Sequence, residues 1–308
     1  MVVPHAYRNP ATGVVPLPAT AGRVAFPRHR AHTRRWRRWA PTGASRAALS
    51  PPTVTRMQFV DPSLPRVLDG WRSPRLGLDM PIVSYGWGGT PILLFPTAAA
   101  DFLENERFFL VKAIEPSIQA GRVRLFSIDS INEHAWMDGN LPVREQARRQ
   151  ALYAAYIEEE VVPYIRTVSR DGGARAITTG ASFGAFHAAN SFFRRPDLFG
   201  GTIAMSGFYD LDTGYLEGYR DENVYFNNPL WYLPGVGGRA LELLQRESRI
   251  VVVTGQGAYE APDASRRLAA VLAAKGIPHW LDLWGHDVRH DWPSWRQMLP
   301  YHLGRMGL

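Results

Sequence analysis

From Met57 onward the chain alternates two kinds of hydrophobic pattern. Short unbroken apolar blocks, bounded by Gly and Pro, are followed by longer stretches in which apolar residues return every three or four positions. The first kind predicts buried strands and the second amphipathic helices. The blocks are DMPIVSYG (Asp79 to Gly86), TPILLFPT (Thr90 to Thr97), RVRLFSIDS (Arg122 to Ser130), ARAITTG (Ala174 to Gly180), GTIAMSG (Gly201 to Gly207), SRIVVVTG (Ser248 to Gly255) and PHWLDLWG (Pro278 to Gly285). Helical spacing covers Glu104 to Gly121, Pro142 to Ser169, the residues after Ser182 as far as Pro196, Ala264 to Gly276 and Pro293 to Gly304. Gly121 and Gly276 suit helix ends, and Pro163 is expected to kink the long second helix.

The strand cores ILLF, IVVV and TIAM carry no polar alternation, so both of their faces should be covered. That predicts an α/β fold with a mostly parallel central sheet and helices on both faces. Residues 208–248 interrupt the alternation and are rich in Tyr, Asn, Asp and Gly. They are expected to form a cap-like insertion over one end of the sheet. Residues 57–308 are then one domain, and no internal repeat divides it.

Composition changes this picture only before Met57. Ten of the arginines fall in residues 1–56, with no Asp or Glu. The remaining residues hold 25 basic and 28 acidic side chains, a net of −3 against +7 for the whole chain. A Pro-, Gly-, Ala- and Arg-rich segment with no period reads as a disordered basic tail. Its one distinctive stretch, HRAHTRRWRRWA, has the composition for nucleic acid or an anionic membrane. The expectation is nevertheless an unstructured tail, with Met57 as an alternative start. No 7–15-residue apolar segment follows the arginines, which disfavours an export signal. No run of about 18 apolar residues occurs, so no membrane-spanning helix is expected. The expected location is cytoplasmic. The chain has no cysteine, which excludes disulfides, thiolate metal sites and a cysteine nucleophile.

The chemistry concentrates at ARAITTGASFGAFHAAN. An apolar strand runs into Gly180-Ala181-Ser182-Phe183-Gly184 and then into an alanine-rich helix. A serine in so sharp a strand-to-helix corner is lifted clear of its neighbours, and glycines two residues away on each side relieve the crowding. The helix N-terminus would face developing negative charge with free amides. Ser182 is therefore the candidate nucleophile. A serine hydroxyl needs a base, and the base needs an acid to fix its tautomer. In this architecture the chain order is serine, acid, histidine.

Two histidines follow the last strand, His286 directly and His290 just before the final helix. His279, His302 and His187 are poorer candidates, because they lie at a strand start, late in a helix and in the helix after the serine. The spacing of His286 and His290, with Asp287 and Asp291 interleaved, would suit a metal only on a helix. Gly285 and Pro293 mark a loop instead, so no metal is expected. The acid should follow SRIVVVTG, where QGAYEAPD offers Glu260 and Asp263. Loop position favours Glu260, and Asp263 suits the first turn of the next helix. Asp210 and Asp212 are a third option. Two backbone amides would complete an oxyanion hole, that of Phe183 and one near Ala98.

From about Trp71 to Leu303 the chain resembles the esterase D-like and enterochelin esterase-like branch of the α/β-hydrolases, within an uncharacterised bacterial subgroup. The resemblance rests on WRSPRLGLDMPIVSYG, LLFPT, TGASFGAFHA, RRPDLF, SGFYDL, VYFNNPLWYLP and GIPHWLDLWGHDVRHDWPSWRQMLP. It implies an α/β-hydrolase fold and a serine esterase. The family ends in a histidine with an aromatic two residues on and a tryptophan five on, which His290, Trp292 and Trp295 match. Where the family carries a His-Gly pair after the third strand, this chain has PTAAAD.

Together these readings predict a serine hydrolase that cleaves carboxylic esters through an acyl-enzyme, with no cofactor. The expected partner is a small-molecule ester, and a homo-oligomer stays open. Nucleic acid is not the expected partner, because that reading rests wholly on the tail. The alternatives are an acyltransferase using the same machinery, or a non-catalytic esterase-like binding protein.

Overall fold

The structure, a computed structural model, describes residues 59–98 and 100–308. The basic tail of residues 1–56 and the alternative start at Met57 lie outside the described residues. Eight strands form one sheet: β1 Arg66–Arg72, β2 Asp79–Tyr85, β3 Thr90–Phe95, β4 Val123–Ile128, β5 Ala176–Ala181, β6 Phe199–Met205, β7 Arg249–Thr254 and β8 Trp280–Leu283. Their order is β1-β2-β4-β3-β5-β6-β7-β8. β3 to β8 run parallel, while β1 and β2 are antiparallel at one edge. This is the α/β-hydrolase architecture.

Apolar side chains leave the central strands on both sides. One face carries Leu93, Phe95 and Phe126 against Tyr153, Ile165, Phe192 and Leu268. The other carries Ile92, Leu94 and Leu125 against Leu110, Ile114, Met298 and Leu299. Every residue of β5 is buried, so its side chains meet packed helices whichever way they point. Burying such side chains contributes about 1.5–3 kcal/mol each for the larger ones.

Three elements depart from the hydrophobic pattern, each for a local reason. β1 was not expected. Its sequence RVLDGWR is mostly exposed, so no buried face marks it. It is instead held from a helix, where Glu160 accepts from the Trp71 indole at 2.7 Å and the Ser73 hydroxyl at 2.8 Å. The helix expected over Glu104 to Gly121 is two helices, Glu104–Arg107 and Leu110–Gln119, broken at Phe109 with φ 63°. The break sends adjacent rings to different partners, Phe108 onto Trp292 and Phe109 towards Phe59. The long helix with Pro163 does not break. It passes through a π-helical turn, Ile157–Val161, between Val143–Tyr156 and Val162–Ser169. The wider turn accommodates the missing proline N–H without ending the helix.

Between β6 and β7 the chain forms short helices, Glu222–Tyr225 and Pro229–Tyr232, and a longer one, Gly238–Arg246. Among the described residues no helix is long and apolar enough to cross a membrane.

Candidate active site

Strand β5 ends at Ala181 and the helix Phe183–Arg194 starts at once, so Ser182 alone makes the turn. Its backbone takes φ 57°, ψ −120°. For a residue with a Cβ such a conformation costs on the order of 1–3 kcal/mol. The surroundings hold it there. The Ser182 amide donates to the Met205 carbonyl of β6 at 2.9 Å. A Cβ on Gly180 would lie 2.5 Å from the carbonyl carbon of Gly184, and one on Gly184 would lie 2.6 Å from the Pro96 oxygen. Only hydrogen fits at either position. Ser182 itself is half-buried, between a buried strand and a buried helix.

The acid and base candidates meet at the neighbouring strand ends. His290 Nδ1 lies 3.2 Å from Glu260 Oε2. The Glu260 carboxylate is fully buried, while the His290 side chain keeps 25% exposure. Three further donors converge on the carboxylate: Ser206 Oγ on Oε1 at 2.6 Å, Gly255 N on Oε1 at 3.1 Å and Thr254 Oγ1 on Oε2 at 3.0 Å. Burial alone would raise the pKa of this group. The hydrogen bonds from His290, Ser206 and Gly255 outweigh it and hold the carboxyl below its ordinary value. An ionised Glu260 can only accept, so Nδ1 carries a proton, and in the neutral ring the lone pair is on Nε2.

A continuous path of contacts joins this pair to the serine. Ser182 bonds to Met205, the next residue Ser206 bonds to Glu260, and Glu260 bonds to His290. The Trp295 indole donates to Ser206 Oγ at 3.0 Å, and its ring meets the His290 ring edge-on at 5.1 Å. Ser206 and Thr254 escaped the sequence reading. Ser206 does stand at the end of its apolar block, as Ser182 does, but nothing local announces a partner 54 residues away. Removing its hydroxyl takes the shortest bond from Glu260 and strands a buried indole N–H. Ser206→Ala is expected to lower kcat about tenfold with KM little changed, and to cost about 1–3 kcal/mol of stability. Steady-state kinetics on a nitrophenyl ester and a denaturant titration would check both.

The other sequence candidates go elsewhere. His286 is exposed. Asp263 is 89% exposed, sits in the first turn of the helix Pro262–Ala274 and pairs with Arg266. Asp210 accepts from Asn228 at 2.9 Å, and Asp212 pairs with Arg220, so both organise the segment between β6 and β7. Asp291 caps the last helix. His279 bonds to the Ile277 carbonyl, and His302 is buried beside Trp280. Among the described residues no group of three His, Asp or Glu side chains is arranged to hold a metal. Phe183 is buried, and Ala98 lies half-buried in the turn after β3, both in a cluster with Trp136, Phe186 and Leu216.

His187 is buried at 1% exposure, with its ring stacked on Phe183. Burial pushes its imidazole down to about 3, against about 6.5 in an unfolded chain. Below pH 6.5 the unfolded chain takes up a proton that the folded one refuses. The stability tied to neutral His187 is complete above that pH and drains as pH falls towards 3, by about 1.4 kcal/mol per pH unit. His302, pushed to about 4 by burial, acts in the same sense. Asp129, pushed up to about 6 by burial and by Asp101, acts in the opposite sense. Both are common to the wild type and to His187→Gln, so the difference between the two proteins isolates His187. Their stability gap is expected to change with pH at that slope between 6.5 and 4. Denaturant titrations would measure it, and a pH-independent gap would contradict a neutral buried ring.

The sequence model of the family described as "Putative esterase" matches residues 128–306. No curated protein matches the chain. Among solved structures, a ferulic acid esterase is similar at TM-score 0.60 and 18% identity, covering 77% of this chain and 96% of its own. An S-formylglutathione hydrolase from Agrobacterium tumefaciens is similar at TM-score 0.59 and 12% identity, over 78% and 93% of the two chains. FphF, a fluorophosphonate-binding serine hydrolase of Staphylococcus aureus, is similar at TM-score 0.60 and 13% identity, over 79% and 98%.

Proposed function

Because the chain belongs to the esterase family of the α/β-hydrolases and is a carboxylic ester hydrolase, we propose that it works through a Ser182–His290–Glu260 triad and an acyl-enzyme. The observation that carries this reading is the buried, ionised Glu260 holding His290 by Nδ1, in the loops after β7 and β8, along the same sheet from a serine at φ 57° after β5. Ser182 Oγ attacks the ester carbonyl carbon while His290 Nε2 takes its proton. The carbonyl oxygen becomes an oxyanion, met by the amide of Phe183 and one near Ala98. The C–O bond to the alcohol then breaks, and His290 returns the proton to the departing oxygen. Water repeats the sequence: it gives its proton to His290, attacks the acyl carbon, and the acid leaves as Ser182 recovers its hydrogen. Glu260 never needs to change charge. It favours the imidazolium that forms at each step.

The segment between β6 and β7 acts in this proposal as a cap. Its Phe208 and Tyr215 rings stand 4.9 and 5.7 Å from the Phe183 ring, directly after the serine. Such a wall favours an apolar or aromatic group on the ester. The test is ester turnover and phosphonate labelling with and without the Ser182 hydroxyl, on nitrophenyl esters of graded acyl length.

A further inference from the structure

The loop after β3 reads Pro96-Thr97-Ala98, with no glycine and no histidine of its own. It is nonetheless fixed at each of these residues. The Pro96 carbonyl abuts Gly184 at the start of the helix after the serine. Thr97 is bonded twice by the Glu104 carboxylate, amide to Oε2 at 2.8 Å and hydroxyl to Oε1 at 2.7 Å. The Ala98 carbonyl accepts from Asn132 Nδ2 at 2.7 Å. Asn132 comes from the short helical turn after β4 and is fully buried. Its other amide atom, Oδ1, lies 2.9 Å from His187 Nε2.

The direction of this chain of bonds is forced. A carbonyl only accepts, so the Asn132 amide nitrogen must face Ala98 and its oxygen must face His187. An oxygen only accepts, so His187 Nε2 must carry the ring proton. Burial keeps the ring neutral, and Nδ1 has no hydrogen-bond partner among the described residues. The His187 ring also stacks on Phe183, at 5.2 Å and 30° between planes. One imidazole therefore touches the residue after the serine and, through Asn132, holds the turn that contains Ala98.

We propose that Asn132 and His187 are positioning residues that hold Ala98 and Phe183, the two proposed oxyanion-hole residues, in register with each other. Two buried polar side chains are an expensive way to fill space, since an apolar pair would need no partners. What they supply is a fixed direction for one particular backbone carbonyl. Preorganised donors are effective because they do not reorganise when charge develops. This inference rests on the proposed triad, and its test is chosen so that the two can fail separately.

The test compares Asn132→Leu, His187→Phe and His187→Gln with the wild type. Leucine matches asparagine in size without the donor. Phenylalanine suits the aromatic surroundings, and glutamine keeps an N–H for Asn132. Removing an oxyanion donor outright costs about 10²–10³ in kcat, so loosening one is expected to cost about tenfold. Asn132→Leu and His187→Phe should lower kcat by that factor with KM within about twofold. An aryl trifluoromethyl ketone, which forms an oxyanion on the serine, should bind more weakly by the same factor. His187→Gln should restore most of both. Hydrogen exchange in peptides spanning residues 96–103 should quicken in the two deficient variants and not elsewhere.

A folded Asn132→Leu protein with wild-type kcat and ketone affinity overturns the inference. So does a glutamine variant as impaired as the phenylalanine one. If the wild type turns over no ester, the triad reading fails, and the exchange measurement alone decides the clamp: unchanged exchange in residues 96–103 overturns it.

Discussion

Ser182→Ala is expected to reduce ester turnover by about 10⁴–10⁶-fold while leaving the protein folded. The size follows from what is removed. Without the hydroxyl there is no acyl-enzyme, and only the oxyanion donors and binding remain to help water. Alanine leaves the backbone at the same φ of 57°, so no strain is released or added. The side chain is only half-buried, and unfolding should shift by a few degrees at most. Turnover of nitrophenyl esters, with a thermal melt as control, measures both. A fluorophosphonate should label the native protein at Ser182 and leave the variant unlabelled. Retained turnover, or a label found on another residue, would remove the nucleophile from the account.

The second large effect separates the two histidines. His290→Ala is expected to cost about 10⁴-fold or more in kcat, and His286→Ala about twofold or less. The reason is hydrogen bonding, since the His290 ring meets a buried carboxylate and His286 stands in solvent. Glu260→Gln should be nearly as damaging as losing the base, about 10⁴-fold. The Gly255 amide can only donate, and it points at Oε1 beside the Ser206 hydroxyl. The glutamine oxygen must sit there. Its NH₂ then occupies the Oε2 position and faces His290 Nδ1. A donor at that place demands an unprotonated Nδ1, which puts the ring proton on Nε2, where it blocks proton uptake from Ser182. The expected signature is lost kcat with intact folding and substrate binding, read from steady-state kinetics. Equal activity in Glu260→Gln would show that the carboxylate does not set the tautomer.

The parallel sheet was legible because its strands are short, unbroken and apolar, and because burial on both faces leaves no other composition to choose. The candidate site could be proposed where chemistry and local structure coincide. Ser182 stands at a strand-to-helix corner, and Glu260 stands in the loop after an apolar block. Choosing between His286 and His290 needed more than the residues, since both lie in one loop. Contacts between distant residues beyond the expected acid and base were not legible. Ser206 meets Glu260 across 54 positions and His187 meets Asn132 across 55, and neither pair leaves a trace in periodicity. Exposed β1 and the break at Phe109 were hidden for a related reason: each is decided by what it packs against rather than by its own pattern.

Trp295 gives the proposed site a mechanical property. A single indole from the last helix grips the acid through Ser206 and abuts the imidazole directly. The two partners are thus bolted to one beam. A small tilt of that helix carries them together past the serine, changing the reach of the base but not its pairing with the carboxylate. Slackening at the helix would therefore dull the enzyme's speed while leaving the imidazole paired with its carboxylate.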